Sequence, residues 1–263
     1  MLEREWPDWR FSREDLQRTP SVACGWTVER EELDRAKACA LIHAAARKLQ
    51  LPQVTAATAC VYLHRFYMRH SLKEYHHYNI AATCLFFACK AEESLRRLDA
   101  FIPAIVHYAS KGNRRAAPGT GEFDKWRAVI LGAEVVLLEA LCFDMVVEHP
   151  HAALVVLLER LALPRRAALL AWNFLADCMR LPLCLVHDAP TIAAAAVELA
   201  ARVAPDARPR LPACPADVDR AAQWLLDFYA RDAHARGRAA ADHASAAHTP
   251  ASSPASPAQP AQP

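Results

Sequence analysis

Two charged residues stand in stretches that otherwise exclude charge. Lys90 follows the uncharged run Ile80–Cys89, and Glu134 interrupts an apolar stripe that includes Ile130, Ala133, Leu137 and Leu141. Charge on a packed helix costs free energy unless it is paired or hydrogen-bonded. Hydrogen bonding is therefore the chemistry open to this lysine and this carboxylate, and its partner has three forms. Lys90 can offset the dipole at its own helix C-terminus. Lys90 and Glu134 can pair with each other. Both can grip the main chain of another protein. Glu93 and Phe87 lie in the same stretch as Lys90 and are candidates for the same contact surface. An enzymatic use of the pair would require an enclosed pocket around it.

Other chemistry finds less support. The nine cysteines form no Cys-x-x-Cys pair and mostly fall inside apolar helical patterns, which predicts reduced, buried thiols without a disulfide framework or zinc site. His76-His77 and His149-Pro150-His151 have no carboxylate or thiol at metal-ligand spacing, so they predict helix-flanking or solvated imidazoles. Phe66 stands where a kinase catalytic loop beginning His64-Arg65 would need Asp. No glycine-rich phosphate loop, His-Glu-x-x-His or Gly-x-Ser-x-Gly occurs. The chain thus offers no catalytic residue, cofactor site or metal site.

The elements that must position these residues are helices. The 263 residues are 54% hydrophobic and 23% charged, with only 6 Gly, a balance that favours helix and leaves little material for hairpins. A net charge of +2 argues against a dedicated nucleic-acid binder. The N-terminal stretch Met1–Arg10 carries no apolar signal core, and the longest apolar stretch, 128–147, contains Glu134, Glu139 and Asp144. No membrane span tolerates three carboxylates there, so a soluble cytoplasmic or nuclear protein is expected.

Apolar spacing of three and four predicts helices over 31–49, 55–70, 79–92, 98–109 and 123–142, with Thr27 as the first cap and 110–122 as a loop. The helix over 79–92 is apolar all round and should be buried all round. Trp6, Trp9, Phe11 and Leu16 are spaced like a short packed arm ahead of it all.

The pattern then repeats. Leu49, Leu51 and Pro52 recur 112 residues later as Leu161, Leu163 and Pro164; Ile80-Ala81-Ala82 recurs at the same offset as Ile192-Ala193-Ala194, and Lys90 matches Arg202. Helices of the second copy are expected near 151–162, 165–180, 190–203 and 217–231. Residues 232–263, rich in Pro, Ala and Ser, are expected to be disordered. Thr249-Pro250, Ser253-Pro254 and Ser256-Pro257 in that tail suit proline-directed kinases.

Three stretches sharpen the architecture: Tyr62-Leu63-His64-Arg65-Phe66-Tyr67-Met68, then Leu85-Phe86-Phe87-Ala88-Cys89-Lys90-Ala91-Glu92-Glu93, then Leu141-Cys142-Phe143-Asp144-Met145-Val146-Val147-Glu148-His149-Pro150. With the lead-in Trp9-Arg10-Phe11-Ser12, Asp15-Leu16 and Thr19-Pro20-Ser21, they resemble the first box of transcriptional cyclins, the group of cyclin K, cyclin T and the cyclin subunits of fungal kinases for the RNA polymerase II C-terminal domain. The resemblance covers residues 9–150 and is architectural beyond. It implies an all-α fold of two tandem five-helix cyclin-box modules: an arm at 1–32, a first box at 33–147, a second box at 148–231 and a tail at 232–263.

The resemblance also implies a function. Family members bind and activate a cyclin-dependent serine/threonine kinase as a heterodimer, here in the nucleus and in transcription, with a third subunit left open and no direct nucleic-acid contact. Lys90 matches the family lysine near the end of the third helix, and Glu134 the glutamate of the fifth. In the family these side chains hydrogen-bond to kinase main chain just ahead of its mobile C-helix. Arg35-Ala36-Lys37-Ala38-Cys39-Ala40-Leu41 lacks the Met-Arg-Ala-Ile-Leu docking motif of cell-cycle cyclins, which favours a transcriptional role. The alternative is a cyclin-fold general transcription factor contacting DNA; that reading wants a zinc ribbon and a basic surface, and the sequence offers neither.

Overall fold

In a computed structural model, which describes residues 9–204 and 216–246 (by backbone alone beyond Ala233), helices begin where the sequence offers caps. Thr19 accepts a hydrogen bond from the Val22 N–H at 3.3 Å to open α1 (Pro20–Ala23), and Thr27 accepts from Arg30 at 3.2 Å to open α2 (Val28–Lys48). Pro52 precedes α3 (Gln53–Phe66), and α4 follows at His77–Ala91. Next come α5 (Leu98–Ala109) and α6 (Gly121–Ala140), the latter capped by Thr120. The second series is α7 (Pro150–Leu161), α8 (Arg165–Cys178), a short α9 (Leu183–Val186), α10 (Ala189–Val203) and α11 (Ala216–Ala246). No strand occurs among the described residues, and no helix there is long and apolar enough to cross a membrane.

Glycine is too scarce to end these helices. Gln50, Glu93 and Cys142 take the left-handed conformation instead, at φ 52°, 52° and 51°. That conformation costs a side-chain-bearing residue about 1–2 kcal/mol. The return is capped carbonyls: Leu51 N–H to Ala46 O at 2.9 Å, Ser94 N–H to Cys89 O at 2.9 Å and Phe143 N–H to Leu138 O at 3.0 Å.

Every residue from Ile80 to Cys89 is buried, as the uncharged run predicts, because α4 packs against α2, α3, α5 and α6. Helix α3 is buried from Thr55 to Phe66, polar residues included. Its polar groups find specific partners: Thr58 donates to Glu92 at 2.6 Å, Tyr62 to the Met145 carbonyl at 2.8 Å, and Arg65 to the Asp144 carbonyl at 3.3 Å. Arg35 is also buried; it holds Glu31 at 2.8 Å through Nε and the His64 carbonyl at 2.9 Å through Nη1. Arg96 clamps the α2 terminus, donating to Leu49 O and Gln50 O, each at 3.1 Å. The arm packs through Trp9 and Leu16, with Trp9 Nε1 donating to Asp144 at 2.9 Å; Trp6 lies outside the described residues.

The sequence repeat has a backbone counterpart. Helices α3 and α8 begin at Gln53 and Arg165, and α4 and α10 at His77 and Ala189, both pairs 112 residues apart. The prolines ahead of α3 and α8 share one conformation, φ −54° and ψ 147° at Pro52 against φ −55° and ψ 144° at Pro164. Helix α10 packs on α7 and α8, and its Ile192, Ala196, Val197 and Leu199 are buried.

Expected and observed boundaries agree to within three residues except at two helix ends. The helix expected over 55–70 closes at Phe66, where Met68 and Arg69 turn tightly back onto Arg65 and Phe66. Helix α11 does not stop at 231 but continues to Ala246, through an alanine-rich stretch whose intrinsic helix propensity is high. The chain divides at Leu225, and the helix from Leu226 onward is a second unit described by itself. The Ser/Thr-Pro pairs of the tail lie outside the described residues.

Candidate functional site

Helix α4 runs through the core, half-buried in its first turn and exposed in its last, which is what places Lys90 at a rim. Its Nζ lies 2.5 Å from Glu134 Oε1 and 4.7 Å from the centroid of the Phe86 ring. The pair therefore forms between α4 and α6, yet at the surface: Lys90 is 42% exposed at its side chain and Glu134 18%. Of the readings open at the sequence level, mutual pairing is realised without being sealed from solvent. An ammonium carries three donors and a carboxylate two acceptor oxygens, so one mutual bond leaves Lys90 with donors and Glu134 with Oε2 for a partner.

The repeat-equivalent cation behaves differently. Arg202 is held by Glu198 at 3.0 Å and Asp219 at 2.5 Å, two carboxylates to one guanidinium. Lys90 has one.

Glu93 is exposed beside this pair, and the Schellman turn fixes its backbone: its N–H reaches the Lys90 carbonyl at 3.3 Å. Phe87 is not part of the surface. It is 8% exposed and packs in the core with its ring 5.8 Å from Tyr62, because α4 is enclosed on that side by α3. Phe86, one residue earlier, is the ring that underlies Lys90.

The sequence reading passed over several exposed apolar side chains on and after α4 and α6. Past the end of α6, Cys142 and Phe143 both adopt positive φ, 51° and 60°. Two consecutive left-handed residues turn the chain sharply, and Phe143 emerges 58% exposed, followed by exposed Met145 and Val146. Leu95, after α4, and Leu131 and Val135 on α6 are exposed as well. Exposed large apolar side chains thus occur on α6 next to Glu134 in sequence, at Leu131 and Val135, and past the ends of α4 and α6. No periodicity signals this, since Phe143 reads like one more core residue; the strained turn is the physical cue.

His149 and His151 serve structure. His149 bonds Thr58 at 3.0 Å and approaches Glu92 at 3.8 Å, joining α3, the end of α4 and the start of α7. Burial depresses His149, and burial with the nearby His149 and His43 pushes His151 down to about 4. Among the described residues no group of three or more His, Cys, Asp or Glu is placed to hold a metal ion.

Residues 12–146 match the family model for the cyclin N-terminal domain. The chain is similar to the cyclin pch1 of Schizosaccharomyces pombe, 42% identical over 73% of this chain and 57% of that protein. It is similar to cyclin-T1-2 of Arabidopsis thaliana, 33% identical over 74% of this chain and 43% of that protein. The chain thus spans about half the length of these relatives. Among solved structures, a chain of the yeast RNA Pol II CTD kinase CTDK-1 complex superposes with a TM-score of 0.68 at 18% identity, over 84% of this chain and 72% of that one.

Proposed function

Because the chain belongs to the cyclin family, we propose that it is the regulatory subunit of a cyclin-dependent serine/threonine kinase, binding and activating that kinase as a heterodimer. Relatives named cyclin pch1 and cyclin T, and the fold shared with a chain of a CTD kinase complex, support a kinase that phosphorylates the RNA polymerase II C-terminal domain, in the nucleus. We assign residues 33–147 to the first cyclin box and 148–231 to the second.

The observation that carries this reading is the Lys90–Glu134 pair, exposed with unused donors and acceptors between α4 and α6, the latter also carrying exposed Leu131 and Val135. Such a pair can donate to a carbonyl and accept from an N–H on the same strand of foreign main chain. The surrounding apolar side chains would exclude water from those bonds, which is the arrangement of an interface centre and its rim. The mechanism is conformational. A kinase orients ATP phosphates only when its β3 lysine is paired with the glutamate of its C-helix. A surface that binds the inward position of that helix shifts the population toward the active state. The regulatory subunit contributes binding free energy and no reacting atom.

Affinity purification of the tagged chain tests the proposal. A cyclin-dependent kinase should co-purify in near-stoichiometric amount with the unaltered chain and drop sharply with Lys90→Ala/Glu134→Ala, while the variant keeps its helical circular dichroism. Recovery of no kinase, or equal recovery with the variant, would remove the assignment.

A further inference from the structure

A groove of about 610 Å³ lies on another side of the first bundle, between the end of α2, the outer face of α5 and the loop after α5. Its floor is aliphatic: Leu49, Pro103, Ala104 and Pro118. Its rim is cationic: Lys48, Arg114 and Arg115, with His107 beside them. No carboxylate lines it, and Arg47 and Lys111 flank it in sequence as further exposed cations.

The loop that carries the rim is built into the fold. Ala116 is buried in the core, Ser110 Oγ accepts from the Arg114 N–H at 2.9 Å, and Thr120 Oγ1 donates to the Ala117 carbonyl at 2.8 Å. Arg114 is 3.6 Å from Glu122, whereas Lys48 and Arg115 have no ion pair among the described residues. Within α5, Pro103 has no N–H for the Asp99 carbonyl one turn back, which leaves an acceptor on the helix that forms the groove wall.

We propose that this groove binds an acidic peptide segment of a partner protein, with apolar side chains on the floor and Asp or Glu side chains at Lys48, Arg114 and Arg115. Charge complementarity selects this occupant over the others. A second copy in a two-fold contact would set cation against cation. Of the chain's own segments outside the described residues, 247–263 contain no Asp or Glu; an occupant from 1–8, which holds Glu3, Glu5 and Asp8, would show as peptide affinity that rises when those residues are deleted, and that result too would overturn the proposal. Single-stranded nucleic acid would want aromatic platforms for its bases, and the groove wall is Leu, Ala and Pro. The site is independent of the Lys90–Glu134 face.

The test uses the full chain and a phage-displayed library of random short peptides, followed by fluorescence anisotropy on the enriched sequences. Enriched peptides should combine two or more acidic residues with a large apolar one. Their affinity should fall about tenfold or more with Lys48→Glu/Arg115→Glu, fall with added salt, and stay unchanged with Lys90→Ala/Glu134→Ala. Ala100→Glu, which puts a carboxylate at the groove, should act like the charge reversal and checks against loss of folding at the rim. The proposal is overturned by no enrichment, by enriched peptides lacking acidic residues, by equal binding to the charge-reversed variant, or by tighter binding of single-stranded RNA or DNA to the same groove.

Discussion

Phe143 is where side-chain exposure and backbone strain coincide. It holds a left-handed conformation next to another left-handed residue, and its ring gains little burial in return. Its truncation should therefore leave the free chain nearly as stable, within about 0.5 kcal/mol. As an exposed aromatic anchor it should cost about 2 kcal/mol or more of kinase affinity, roughly thirtyfold in Kd, when replaced by Ala. Calorimetric titration with the purified kinase measures this; unchanged affinity would place the interface elsewhere. His151 makes the opposite kind of residue prediction. It is 7% exposed with neither ring nitrogen hydrogen-bonded, and burial pushes its pKa down to about 4. The unfolded histidine titrates near 6.5, so between the two values only the unfolded chain takes up the proton. The contribution of His151 to stability is thus full above about pH 6.5 and is lost as pH falls toward 4. His151→Phe should flatten the decline in melting temperature over that window; an identical decline would show that other groups govern it. At this scale the sequence spoke clearly about Lys90 and Glu134, because charge in an apolar stretch is conspicuous. It did not single out the exposure of Phe143 or the burial of Phe87, since one apolar type serves core and surface alike and only the fold separates them.

Helices were legible wherever a cap or a break marks them. Thr27 opens α2 as its position suggested, and the run without charge became the most enclosed part of α4. Helix ends were less legible, because Gln50, Glu93 and Cys142 stop their helices by adopting a conformation that sequence associates with glycine. Where a glycine does occur inside α6, no close approach explains it: a Cβ built on Gly132 meets nothing within 4 Å. The entropy of that glycine is then uncompensated in the free chain. Gly132→Ala should stabilise it by about 1 kcal/mol, raising the melting temperature by roughly 2–4 °C. A lowered melting temperature would mean that the helix is strained there in a way the backbone does not reveal. The buried Glu31–Arg35 pair, also unannounced by the sequence, should respond in the other direction. Arg35→Ala leaves Glu31 buried with only Thr19 for company and should cost about 3–5 kcal/mol by denaturant unfolding; a loss near zero would contradict its burial.

At the scale of the molecule, the repeat at 112 residues announced a doubled arrangement, and equal spacing of helix starts and matching prolines at α3 and α8 give it a backbone form. The length of α11 was not legible, because alanine-rich sequence supports helix and tail alike until packing or propensity decides. Helix α4 packs on α2, α3, α5 and α6, and from this bundle a charged pair and a left-handed phenylalanine are exposed. Rigid presentation matters because a partner's helix is held only by a surface that does not itself yield. The most direct measurement is phosphate transfer by the co-purifying kinase to a peptide of its substrate, with and without this chain, at matched concentrations. The unaltered chain should raise the rate, and Lys90→Ala/Glu134→Ala/Phe143→Ala should lose about tenfold or more of that stimulation while melting within about 1 kcal/mol of the original. Full stimulation by the triple variant would contradict the claim that this face activates the kinase.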